Sequence, residues 1–183
     1  MPPGSRLLRR LHYELATQKS PAELAGWIAA GADFNELRAP GLLAALQALK
    51  RGEAVTNPVT GASILPGDHV VLEMPLGREF AETAHLIDIV IWVDTPLDVA
   101  LARNIRSLAA DAAEDRQGDP REFPRWLEAY LYQYEEQIRA ILQLQRRRVA
   151  GKADIVLDGM WIQQDLIVAA LKAVREFRGG QLA

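Results

Sequence analysis

Glu73, Asp94, Asp158, Arg103 and Arg106 stand where their type and spacing could support chemistry. Glu73 closes the apolar run Val70-Val71-Leu72, Asp94 closes Ile87 to Val93, and Asp158 closes Ile155-Val156-Leu157. An open parallel sheet gathers ligands at the carboxyl ends of its strands. A strand ending in a carboxylate is how many nucleotide enzymes hold an acid near Mg²⁺, which makes Glu73 the candidate catalytic acid. The competing reading of Glu73 is a polar residue at the sheet rim. For Asp94 it is a helix-starting role beside Thr95. Arg103 and Arg106 lie three apart, so a helix presents them on one face. Paired guanidinium groups suit phosphate oxygens, because they make bidentate, charge-assisted bonds. Their alternative is a solvated face near Asp111 and Glu114. Arg146-Arg147-Arg148 reads as cations complementing a helix dipole. Trp126, Tyr130 and Tyr134, spaced by four, read as a packing stripe.

The elements that must position these groups alternate. Ser20-Pro21-Ala22-Glu23 has the form of a capping box with proline at the first helical position, and it predicts a helix through Trp27 and Ile28 to Gly31. Asp33-Phe34-Asn35-Glu36 is a polar connection. Leu42, Leu43, Leu46 and Leu49 predict a second helix ended by Gly52. Thr56 to Gly61 is rich in turn formers. Val70 to Glu73 reads as a strand buried on both faces. Ile87 to Asp94 and Ala153 to Asp158 read as further strands, and a last helix is expected from Gln163 to Phe177. Thr95-Pro96-Leu97-Asp98 opens a helix that carries Val99, Leu101, Ile105 and Leu108. The charged interval Asp111 to Arg125 leads into a long helix, Trp126 to Val149. Strands alternating with helices predict an α/β fold with a mainly parallel sheet flanked by helices.

With 183 residues, one domain with a proper core is expected. The chain has no cysteine, which excludes disulfides, thiolate metal sites and cysteine nucleophiles. His12, His69 and His85 are scattered, so no metal cluster is expected. A net charge of -3 argues against a nucleic-acid partner. No apolar run approaches a membrane span, and Arg9 and Arg10 interrupt any signal core. The expected setting is cytoplasmic, with no membrane partner.

From Glu73 to Arg106 the chain resembles uridine kinase and its relatives, which are P-loop kinases. The resemblance rests on Val71-Leu72-Glu73, Leu86-Ile87-Asp88, and Ile91-Trp92-Val93-Asp94-Thr95-Pro96-Leu97-Asp98 running on to Arg103-Asn104-Ile105-Arg106. Weaker similarity covers Ala48 to Pro58 and Lys152 to Leu157, so motifs in the family's order span roughly residues 33–158. The resemblance implies a P-loop NTPase-like fold, ATP and Mg²⁺ as cofactors, and a small hydroxyl compound as substrate. It makes Arg103 and Arg106 lid residues that clamp ATP phosphates, with Ala110 to Gly118 in the lid. It sets Glu73 near the metal and Asp33 on the side of the acceptor substrate.

The departures are equally specific. The family opens with a strand and Gly-x-x-x-x-Gly-Lys-Ser/Thr, and this Walker A motif is absent from the chain. The opening strand is therefore expected to be missing too, with residues 1–19 an atypical start. Pro2-Pro3-Gly4-Ser5 is at most a remnant. Met74 replaces the family's glycine after Glu73, and Arg10 stands where Asp-x-x-Tyr would have its aspartate, with Tyr13 as the tyrosine. Asn57 to Gly67 lacks the tyrosine and histidine that pack on a pyrimidine. The expectation is an ATP-dependent phosphotransferase in its intact form. The alternative is an inactive paralogue or truncated product that acts by binding or assembly. A missing strand would also favour association into a homo-oligomer.

Overall fold

The computed structural model describes residues 6–9, 19–58, 61–114, 119 and 121–180. It is a mixed α/β structure that divides into two compact units, Met1–Val90 and Ile91–Ala183.

In the first unit, Ser20 caps helix α1 (Pro21–Ala29) and the expected capping box is complete. The Ser20 hydroxyl accepts from the Glu23 amide at 3.4 Å, and the Glu23 carboxylate accepts from the Ser20 amide at 2.7 Å. The helix ends in a Schellman turn: Ala32 N–H donates to the Trp27 carbonyl and Gly31 N–H to that of Ile28. Gly31, at φ +95°, takes the left-handed position that this turn requires. Helix α2 (Leu42–Lys50) buries Leu42, Leu46 and Leu49 as anticipated, with Ala45 buried in place of the half-buried Leu43. A short helix α3 (Ala81–Ala84) follows a 3-10 turn at Gly77–Glu79. The core gathers Trp27, Phe34, Leu42 and Leu49 with Leu76 and Phe80.

Strand β1 (Arg6–Arg9) runs parallel to β4 (Val70–Glu73), with Arg9 in register with Glu73. This corrects the expectation that no strand forms near the chain start. Charge at Arg6 and Arg9 around only two leucines hid it. Residues 2–5, Arg10 and Tyr13 lie outside the described residues. Strand β4 is also less covered than a strand buried on both faces, because Val71 is 41% exposed. The turn-rich stretch after Thr56 joins a two-residue antiparallel pair, β2 (Val55–Thr56) and β3 (Ser63–Ile64). Gly61, at φ +68°, supplies the turn's left-handed residue.

The second unit is built on β5 (Ile91–Asp94) and β6 (Ile155–Asp158), parallel and in register, so that Asp94 lies opposite Asp158. Strand β5 is half the expected length. Before it, the Arg78 guanidinium donates to the carbonyls of Ile87 (3.1 Å) and Asp88 (2.7 Å). Asp88 is further held by Lys50 at 3.0 Å. Helix α4 (Leu97–Glu114) follows β5 directly and extends through residues 110–114 of the anticipated lid; residues 115–118 lie outside the described residues. The expected long helix is continuous from Glu122 to Val149, as α5 (Glu122–Gln133), a π-helical turn (Tyr134–Ile138) and α6 (Arg139–Val149). Helix α7 (Gln163–Arg178) closes the unit.

Two of the three strand pairs among the described residues are therefore parallel and one is antiparallel. No helix among the described residues is long and apolar enough to cross a membrane.

Candidate functional site

Strand β5 leads through Thr95-Pro96 into α4, so the first turns of α4 stand at the carboxyl end of the parallel pair. Asp98, Val99, Ala102, Arg103 and Arg106 line an open groove of about 510 Å³ along this helix. Their spacing of one, three and four residues is what one helical face presents. The structure thus brings Arg103 and Arg106 together, as their separation by three implied.

Arg103 is anchored as well as grouped. Its Nη1 donates to the Gly159 carbonyl at 2.7 Å, and Gly159 immediately follows β6. The Gly159 N–H in turn donates to the carbonyl of Asp94 at the end of β5, at 2.9 Å. Asp158 shapes the same turn: its carboxylate accepts from the Met160 N–H at 2.8 Å, and its carbonyl accepts from the Trp161 N–H at 3.1 Å. Trp161, 46% exposed, therefore lies two residues beyond the group that Arg103 holds.

Asp94 does more than start a helix. Its carboxylate accepts from Arg146 Nη2 at 2.6 Å and from the Trp92 indole N–H at 3.2 Å. The Arg146 hydrogen bond, reinforced by that of Trp92, holds the Asp94 carboxyl below the usual carboxylate range against a desolvation cost. Arg146 thus carries a specific partner 52 residues away, beyond the helix-end role expected of the arginine run. The pairing was signalled only by two charges far apart in the chain.

That depression has a pH consequence. A carboxyl whose pKa is lowered by folding adds stability above its unfolded value, and the contribution is lost as pH falls through the lower folded value. Arg146→Ala should cost about 1 kcal/mol or less at neutral pH, because the Arg146 side chain is half exposed and screened. Denaturant unfolding as a function of pH checks this. The gap between the two proteins should hold at neutral pH and close as the solution is acidified below the ordinary value of 3.8. A gap independent of pH would contradict the pairing.

The other two candidate residues belong to the first unit. Asp33 is a structural cap: its carboxylate accepts from the Asn35 N–H at 2.9 Å and from Asn35 Nδ2 at 3.0 Å, at the start of the 3-10 turn Phe34–Glu36. Asn35 Oδ1 then accepts from the Ala81 N–H at 2.9 Å, tying this turn to α3. Glu73 is the exposed last residue of β4, where the apolar run placed it.

The aromatic stripe is graded. Tyr134 is buried and its hydroxyl donates to the Leu97 carbonyl at 3.4 Å. Tyr130 accepts from Asn104 of α4 at 3.3 Å, and Trp126 stacks on Tyr130 with centroids 5.0 Å apart. The stripe therefore packs α5 beside α4, as its spacing suggested, and opens to solvent at Trp126.

Among the described residues, no three His, Asp or Glu side chains come together as a metal site. In the comparison with known proteins, no family model matches the chain and no curated protein matches it.

Proposed function

We propose that this chain is a kinase-like nucleotide-phosphate-binding protein, related in scaffold to the uridine kinase group of P-loop NTPases. The proposed role extends to the binding of phosphate groups, with no transfer step assigned. The observation that carries the reading is the pairing of Arg103 and Arg106 in one groove at the carboxyl ends of β5 and β6. A phosphate entering that groove meets two guanidinium groups, and charge-assisted bonds to phosphate are about twice as strong as neutral ones. Trp161, two residues after Gly159, leaves an apolar ring 46% exposed on the same turn.

Two guanidinium groups suit ATP phosphates although the Asp98 carboxylate shares the groove, and the acids at the adjoining strand ends are already engaged. Asp94 is neutralised by Arg146, and Asp158 caps the turn that follows it. The sequence also contains no Gly-x-x-x-x-Gly-Lys-Ser/Thr segment to cradle a transferring phosphoryl group. Since phosphoryl transfer rests on positioning and charge stabilisation by those parts, no transfer step is assigned to this chain. Glu73 as catalytic acid and a small hydroxyl compound as substrate belong to the phosphotransferase form that the resemblance implies. Asp33 as a substrate contact is weakened by its capping role. Association with a second copy is favoured by apolar strand side chains left exposed, Val71, Val93 and Val156.

Titration calorimetry with pyrophosphate, ATP and adenosine, with and without Mg²⁺, tests the reading. Pyrophosphate and ATP should bind with a Kd on the order of 0.1–1 mM, which two charge-assisted contacts can support. Mg²⁺ should not be required and adenosine should not bind. Tight ATP binding that depends on Mg²⁺ would overturn the binding-only reading, and no binding of pyrophosphate would overturn the groove itself.

A further inference from the structure

Building on the anion groove proposed above, we propose that Gly159 is its positioning residue: the Gly159 carbonyl aims Arg103 into the groove, and only glycine fits where that carbonyl must sit. An arginine side chain loses about 2 kcal/mol of rotamer entropy when it is immobilised. A hydrogen bond that already restrains one nitrogen in the free protein reduces what remains to be lost when the anion arrives. The bond from Arg103 Nη1 to the Gly159 oxygen, at 2.7 Å, is such a restraint, and it leaves the other guanidinium donors for the ligand. Arg106, on the same groove, donates no hydrogen bond to another described residue.

The acceptor is itself fixed from both sides. Gly159 N–H is held by the Asp94 carbonyl, and the next two amides are held by Asp158. A Cβ at position 159 would lie 1.9 Å from Thr95 Oγ1, 2.9 Å from Thr95 Cβ and 3.0 Å from the Asp94 carbonyl oxygen. The backbone there is outside the left-handed region, so an alanine meets a steric obstacle and no conformational one. Thr95 Oγ1 can turn away but Thr95 Cβ is fixed to its backbone, and with the Asp94 oxygen beside it the turn has to give way, moving the carbonyl that holds Arg103.

The test measures pyrophosphate affinity by calorimetry for the unmodified chain, Gly159→Ala, Arg103→Ala and the double variant. Gly159→Ala should weaken binding about tenfold, the worth of one lost charge-assisted restraint. In the Arg103→Ala background the same change should add less than about twofold, because both substitutions remove one interaction. Normal binding by Gly159→Ala, or an equal further loss in the Arg103→Ala background, would overturn the inference. Guanidinium NMR of the unmodified chain keeps the question decidable if Gly159→Ala does not fold. Arg103 should then show restricted rotation before any ligand is added while Arg106 rotates freely; free rotation of both overturns it. Loss of positioning alone is distinct from failure of the groove, since in the latter case the unmodified chain itself does not bind pyrophosphate, and the inference falls with it.

Discussion

Replacing Arg103 and Arg106 together with alanine should lower pyrophosphate affinity by more than about hundredfold, beyond the range in which binding is measurable. Each hydrogen bond to a charged group is worth about 1.5–3 kcal/mol. Two of them therefore make up most of the binding energy of a ligand held on the order of 0.1–1 mM. The two residues should not contribute alike. Arg103 also holds the Gly159 carbonyl, so its loss releases the turn after β6 as well as a donor. Arg106 contributes to the groove alone. Arg147→Ala is the appropriate control, because Arg147 is an exposed cation of the same charge outside that groove. It should change affinity by less than about twofold, the screened effect of one surface charge that does not line the groove. Calorimetry at one fixed ionic strength checks both variants, and an equal loss for Arg147→Ala would reduce the effect to bulk charge.

The largest stability effect is expected at Phe34. Its side chain is fully buried and packs against Trp27, with ring centroids 6.1 Å apart. Truncating a buried phenylalanine to alanine costs about 3–5 kcal/mol, from lost transfer energy and the cavity that remains. Against a typical total of about 5–15 kcal/mol, that is a large fraction of the whole. Phe34→Ala should therefore lower the denaturant midpoint sharply, followed by tryptophan emission, since Trp27 lines the new cavity. Val168→Ala, at an exposed position on α7, should fall within about 0.5 kcal/mol of the unmodified chain. A similarly small change for Phe34→Ala would mean that the site collapses around the missing ring.

Local signals in the sequence are legible where one interaction decides the structure. The capping box at Ser20, the apolar spacing of α2 and the acids closing β4, β5 and β6 each depend on residues a few positions apart. What escaped the sequence depends on partners far away. Strand β1 forms because β4 pairs with it, although Arg6 and Arg9 give it a weak apolar pattern. Strand β5 is short, and Ile87 and Asp88, expected to belong to it, have their carbonyls bonded by Arg78. The two-residue strands β2 and β3 are too brief to carry an alternation. Half of the candidate site was legible for the same reason. The common face of Arg103 and Arg106 follows from helical spacing, whereas the Gly159 carbonyl and the Asp94–Arg146 pair reach across more than 50 residues. Asp33, set on the acceptor side by the family resemblance alone, also caps the turn through the Asn35 amide, a local role that the resemblance did not announce.

The most direct measurement is an NMR titration of the isotopically labelled chain with pyrophosphate. Binding in the α4 groove predicts saturable shifts concentrated at the side chains of Arg103 and Arg106 and at the amides of Gly159 and its neighbours. Saturable shifts confined to other parts of the chain, or none at all at these positions, would contradict the existence of an anion site at the carboxyl ends of β5 and β6.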